Sequence, residues 1–300
     1  MFEYSESETS TRSLATLVII GILSATFIYQ WDIFALAEEI LPTFQTSWLP
    51  LEVVAIWRFG CFLVGSSAIV YMFRMETGVM PVLEHESRNE IVVHPIGIEK
   101  FVTFSSWNLI LNTVYFSIAS LISVSLLIES DIPRWLEIVQ VTVFSTALGS
   151  AFITSTIVRH VILPGEVRIR RKHDHQFLFH NQIMHNFAAI FIAIEIIVIR
   201  PELQPHFAIF GLILGLLYAL FAYPFAYFGG GYYVYSFIDP RLRLAPLLLV
   251  GLGGAISLFY LGMWLVTILI SSNQVVGSIV AIIWVSLIVQ FRSEKFEAEQ

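Results

Sequence analysis

Apolar residues along this chain gather into long runs separated by short polar connections, rather than alternating at a strand or surface-helix period. A run of about 17 to 25 apolar residues is long enough to cross a bilayer's hydrocarbon core as a helix. Eight such runs occur, at residues 14–37, 53–73, 101–128, 135–163, 183–199, 207–228, 247–270 and 275–291, the fifth and eighth being short. The pattern predicts an all-α fold: a polytopic transmembrane helix bundle of about eight spans, with residues 1–300 forming a single membrane domain. The first run follows an acidic stretch, Glu3, Glu6 and Glu8, without a basic flank, so it reads as a retained helix rather than a cleaved signal. The longest polar connection, residues 74–100, is too short for a second domain.

Composition agrees, because 57% hydrophobic and 13% charged residues leave too little polar surface to cover a soluble globule. Sixteen Lys and Arg against 23 Asp and Glu give a net charge of -7 and no basic stripe, which excludes nucleic acid as a partner and leaves membrane lipid. The single cysteine, Cys61, allows neither an intrachain disulfide nor a cysteine-based zinc cluster, and no cofactor is expected. Charge also predicts orientation, since Lys and Arg are retained on the cytoplasmic side. Arg12, Arg74, Arg88, Lys100, Arg159, Arg168, Arg170, Arg171, Lys172, Arg241, Arg243, Arg292 and Lys295 fall on one side. Arg134 and Arg200 fall on the other, so both termini are expected to be cytoplasmic. No lysine lies within a run, so an intramembrane Schiff base has no amine.

Polar side chains inside spans are costly and mark function by default. Here they are Arg58, Asn108, Asn112, His185 and Glu195, with the hydroxyls Thr103, Ser105 and Ser106 near the start of the third run. Arg58 and Glu195 sit at matching depth from the same interface and are expected to form an ion pair that fixes helix register. Thr103, Ser105 and His185 lie within about two helical turns of the opposite interface. Five of the eight histidines, His160, His173, His175, His180 and His185, collect between the fourth and fifth runs. No H-E-x-x-H pair occurs among them, so no metal site is assigned, and residues 168–175 read as a basic loop near anionic headgroups. Gly251, Gly253 and Gly254 predict close helix approach in the seventh run, and Tyr223, Tyr227, Tyr232, Tyr233, Tyr235 and Phe237 predict interfacial anchoring.

The run Ser105, Ser106, Trp107, Asn108, Leu109, Ile110, Leu111, Asn112, Thr113, Val114, Tyr115, Phe116 resembles the T-x-W-N-L-x-L-Q-x-x-Y-F segment of the androgen-induced protein family of multipass membrane hydrolases. Met184 and His185, with Glu195 ten residues on, resemble that family's M-H-T segment and its I-E end. The segment Gly231 to Asp239 is similar to its G-x-W-V-Y-P-F-L-[DE]. Asn186, Tyr233 and Ser236 depart from the pattern, standing where the family has threonine, tryptophan and proline. The likeness covers about residues 53–270, making 14–37 and 275–291 additions to a six-helix core.

The resemblance implies hydrolysis of fatty acid esters of hydroxy fatty acids by an intramembrane hydroxyl nucleophile and a histidine. Aligned without a gap from Asn108, the nucleophile position is Ser105; aligned on the string Lys100, Phe101, Val102, Thr103, Phe104, it is Thr103. A helix tolerates a two-residue insertion poorly, which favours Ser105. His185 would then serve as general base. Trp107, Asn108 or Tyr235 would donate to the oxyanion, and Arg159 and Arg168 would hold the carboxylate of the lipid ester substrate. The alternative is a non-enzymatic membrane protein that binds a lipid or small hydrophobic ligand, or carries a solute, through the same cavity.

Overall fold

Inside hydrocarbon the backbone has no water to bond, so a spanning segment must satisfy its own N–H and C=O groups as helix. The computed structural model of the chain describes residues 4, 10–76, 78–168 and 173–292. Glu3, Glu6, Glu8, Arg170, Arg171, Lys172 and Lys295 of the charge pattern therefore lie outside the described residues. Among the described residues, seven helical stretches are long and apolar enough to cross a membrane: Thr11–Gln30, Leu51–Arg74, Phe104–Leu127, Arg134–Arg168, Phe179–Ile199, Pro205–Gly229 and Ala245–Ser272. The chain is an integral, multi-spanning membrane protein.

The uninterrupted helices are α1 (Thr11–Gln30), α4 (Leu51–Arg74), α5 (Phe104–Leu127), α6 (Arg134–Ile157) and α11 (Ala245–Ser272). The first apolar run breaks earlier than its composition suggests. Asp32 takes a left-handed conformation with φ 42°, and the chain turns into two short helices, α2 (Ile33–Glu39) and α3 (Leu41–Gln45). Three of the spanning stretches contain a π-helical turn near the same end of the bundle. Val158–Ile162 links α6 to α7 (Leu163–Arg168), Ile183–Phe187 links α8 (Phe179–Gln182) to α9 (Ala188–Ile199), and Phe225–Gly229 follows α10 (Ile209–Pro224). Pro164 follows the first of these, where its missing N–H and its ring disturb the carbonyl one turn earlier, and Pro224 immediately precedes the third.

The eighth apolar run forms α12 (Gln274–Ile288), whose 15 residues make it shorter than the others. At 1.5 Å per residue it is about 22 Å long. It nevertheless returns to the end of the bundle where α1 begins. The Arg159 guanidinium donates to the Ser286 carbonyl at 2.9 Å, and Asn186 exchanges hydrogen bonds of 2.8 and 2.9 Å with the Gln290 backbone. At that same end Tyr4 forms a β-bridge with Leu242, and Ser13 Oγ donates to the Pro240 carbonyl at 2.7 Å.

The 74–100 connection departs from the all-helical expectation. It contains β1 (Met80–Glu84) and β2 (Glu90–Val93), paired antiparallel with Val82 opposite Ile91. A two-residue strand, β3 (Tyr232–Tyr233), joins the other edge of β1 to give the order β2-β1-β3. This small sheet ties the loop before α5 to the loop after α10, so their side chains meet at one end of the bundle.

Glycine governs how closely α6, α10 and α11 approach. A Cβ on Gly215 would lie 2.9 Å from Gly253 Cα, and one on Gly149 would lie 2.7 Å from the Ile256 carbonyl oxygen. Of the three glycines expected to admit a neighbour in α11, only Gly253 does so. A Cβ on Gly251 or Gly254 would meet nothing within 4 Å. Gly215→Val is therefore expected to cost about 1–3 kcal/mol through overpacking. Thermal unfolding in detergent should show a lowered Tm for Gly215→Val and an unchanged one for Gly251→Ala.

Candidate functional site

Two buried polar clusters lie at opposite ends of the bundle, and they differ in how completely they are satisfied. The first is centred on Arg58 in α4 and Glu195 in α9, which are 1% and 0% exposed with Nε and Oε1 2.7 Å apart. Glu195 also accepts from Tyr115 Oη at 2.8 Å and from Trp57 Nε1 at 3.0 Å. Arg58 further donates to Ser123 Oγ at 2.8 Å and to the Phe44 carbonyl at 3.1 Å. Both charges are thus surrounded by partners from α3, α4, α5 and α9, which is what lets an ion pair survive away from water. A cavity of about 240 Å³ opens beside it, lined in part by Gln45, Ser47, Arg58 and Ile199.

The second cluster surrounds the π-helical turn Ile183–Phe187. Such a turn disturbs the i to i−4 ladder, and the Met184 carbonyl receives the Asn108 side-chain amide at 2.9 Å. The Asn108 carbonyl oxygen in turn accepts from Ser150 Oγ at 2.8 Å and from the Asn112 amide at 2.9 Å. Asn108 therefore fastens α5 to α6 and to the turn that carries His185. His185 is 6% exposed, and its Nδ1 is buried with no hydrogen-bond partner among the described residues. His180, also 6% exposed, has a buried Nδ1 in the same condition and lies against the Tyr71 ring, with centroids 5.7 Å apart. The titratable groups that act on His185 are His180 and His175, and those that act on His180 are Lys100 and His175. Lys100 is 6% exposed; its ammonium donates to the Met72 carbonyl at 3.1 Å and also to the Met75 carbonyl. Burial lowers its pKa from the ordinary lysine value.

The two hydroxyls differ in their surroundings. Thr103 is the N-cap of α5: its Oγ1 accepts from the Ser106 backbone N–H at 3.1 Å and pairs with Ser106 Oγ at 2.6 Å. Ser106 Oγ donates onward to the Lys100 carbonyl at 2.9 Å. The Tyr235 hydroxyl accepts from the Phe104 N–H at 3.2 Å, one residue before Ser105. Burial raises the Tyr235 phenol above its ordinary pKa, so it remains a protonated donor at neutral pH. Trp107 stands edge-on to Tyr218 with centroids 5.4 Å apart, in an aromatic wall that includes Phe221. Among the described residues neither Ser105 nor Thr103 is hydrogen-bonded to His185; their helices are joined one turn along, at the Asn108–Met184 bond.

The arginines assigned to a substrate carboxylate have these surroundings. Arg159 donates to carbonyls at the C-terminus of α12, those of Ser286 and Val289, and Arg168 is exposed at the end of α7. No group of three or more His, Cys, Asp or Glu side chains among the described residues is disposed to hold a metal ion. Reading the sequence by depth missed Lys100, because it precedes the third run, and Ser150, because a serine in a helix usually bonds back to its own backbone.

Removing the cap and removing the neighbouring hydroxyl should have different consequences. Thr103→Ala should destabilise the protein by about 1 kcal/mol and Thr103→Ser should restore it. Ser105→Ala should stay within about 0.5 kcal/mol of the parent. Thermal denaturation of the three purified variants measures this. No known family model, curated protein or solved structure matches the chain.

Proposed function

We propose that this protein is an intramembrane hydrolase of lipid esters, such as fatty acid esters of hydroxy fatty acids, with Ser105 as nucleophile and His185 as general base. The observation that carries it is the Asn108–Met184 hydrogen bond of 2.9 Å, which holds the Ser105 helix against the turn bearing a buried imidazole whose Nδ1 has no partner. Hydrogen bonds between nucleophile and base are often long in a resting enzyme and tighten with substrate. Thr103 is the less favoured nucleophile because its hydroxyl caps α5.

In this mechanism His185 takes the Ser105 proton as the oxygen attacks the ester carbonyl. The oxyanion is stabilised by the Tyr235 hydroxyl, which meets the start of α5 at the Phe104 N–H, with the Trp107 indole N–H as the other donor. Collapse expels the alcohol, which receives the proton from His185, and leaves an acyl-serine. Water, deprotonated by the same imidazole, then releases the fatty acid and restores the hydroxyl. Asn108 acts by positioning, since its side chain is engaged with Met184, Asn112 and Ser150.

Purified protein should cleave branched fatty acid esters, with Ser105→Ala and His185→Ala each lowering turnover by at least about a hundredfold. Unchanged turnover in both variants would eliminate the mechanism. A second reading, a non-enzymatic binder of a lipid or small hydrophobe, is favoured because among the described residues no hydroxyl is hydrogen-bonded to His185. It expects no labelling by a fluorophosphonate probe and a co-purifying lipid by mass spectrometry.

We further propose that α12 completes an eighth span and that the end bearing the sheet and the histidines is cytoplasmic, as the Lys and Arg distribution supports. In a Cys61→Ser background, a membrane-impermeant maleimide should label Asp131→Cys on intact cells and Ser87→Cys only after permeabilisation. The reverse pattern would invert the topology.

A further inference from the structure

We propose that Lys100 and His180 form the anion-holding end of the site and receive the negatively charged head, carboxylate or phosphate, of a long-chain lipid. The inference deepens the hydrolase reading, in that His185 would face the scissile bond next to this head.

The charge balance around Lys100 favours an anionic ligand. Its ammonium is buried, yet its partners are the Met72 and Met75 carbonyls at the C-terminus of α4, and no carboxylate bonds to it among the described residues. The negative end of a helix dipole amounts to about half a charge, which leaves a full buried charge undercompensated. An ammonium also has three N–H groups, and two carbonyls leave one to donate. Arg58 shows the opposite case, a buried cation closed off by a carboxylate at 2.7 Å.

His180 supplies the second half. Its Nδ1 is buried without a hydrogen-bond partner among the described residues, and its ring lies 5.7 Å from that of Tyr71, the residue next to Met72, whose carbonyl holds the Lys100 ammonium. A cation would be repelled from this corner, whereas an anion would satisfy the lysine and the imidazole together. The rim alongside is apolar. Tyr71 and Phe179 stand edge-on at 5.8 Å, both substantially exposed. A charged head at Lys100 and an alkyl chain across these rings describe an amphiphile rather than a free small anion. Arg159 is likewise bonded to helix-terminal carbonyls, but it is only partly buried and Arg168 is exposed, so water can answer both charges.

The test is equilibrium binding of radiolabelled oleate, methyl oleate and lysophosphatidic acid to the full-length protein in detergent. At least one of the two acids should bind tenfold or more tighter than the methyl ester, and the tighter acid identifies the head. Lys100→Gln and His180→Phe should each weaken that acid about tenfold while leaving methyl oleate unchanged, and Lys100→Arg should retain most of the preference. Equal binding of acid and ester, or variants that do not alter the preference, would overturn the assignment. Should Lys100→Gln not fold, His180→Phe and Lys100→Arg carry the test. Ser105→Ala should bind like the parent. Absent turnover with acid-selective binding intact therefore removes the hydrolase and leaves the anion site standing.

Discussion

Arg58 and Glu195 form the contact around which the helices are arranged. Neither charge can be hydrated where it lies, so each must be answered by the protein. The answer draws on Trp57, Tyr115, Ser123 and the Phe44 carbonyl, which come from helices far apart in sequence. Tertiary structure here is fixed by a polar demand within an apolar solvent, because helices gain little hydrophobic energy by leaving lipid for one another. Close packing supplies the remainder, through Gly149, Gly215 and Gly253, which let α6, α10 and α11 approach within backbone contact.

At the other end of the bundle the same demand is met only in part. The π-helical turns at Val158–Ile162, Ile183–Phe187 and Phe225–Gly229 interrupt the regular α-helical ladder in the α6–α7, α8–α9 and α10 stretches. Asn108 repairs one of them at Met184, but among the described residues His180 and His185 keep buried nitrogens without hydrogen-bond partners, and Lys100 keeps a charge to which no carboxylate bonds. Incomplete satisfaction of this kind is destabilising, and it is tolerated where a ligand completes the set. The contrast between a closed cluster and an open one is the main physical ground for locating chemistry at the histidine end.

Much of the scaffold was legible because hydrophobicity over about twenty residues is a strong signal for a span. Depth arithmetic alone put Arg58 beside Glu195, since two charges of opposite sign at one level have few other options. Other features were not legible. The strands Met80–Glu84 and Glu90–Val93 are too short for periodicity to register, and the third strand is two residues long. Thr103 reads as a candidate nucleophile from sequence, whereas its local role is to cap α5, because hydroxyls at helix starts bond the free N–H groups there. Arg159 is read from sequence as a holder of the substrate carboxylate; its bonds to the carbonyls at the end of α12 depend on that helix folding back, which no local pattern encodes. Lys100 escaped notice because its burial arises from the loop folding over the end of α4, a long-range event that no local pattern encodes.

Comparing two charge removals tests the distinction between the clusters most directly. Arg58→Met strands the Glu195 carboxylate and should cost about 3–5 kcal/mol. Lys100→Met removes an undercompensated charge along with two bonds to carbonyls, and should leave the stability of delipidated protein within about 1 kcal/mol of the parent. Denaturation of the two variants side by side in detergent reads both values. A Lys100→Met loss as large as that of Arg58→Met would mean that the ammonium is a structural member of the bundle, and would contradict an open site at the histidine end.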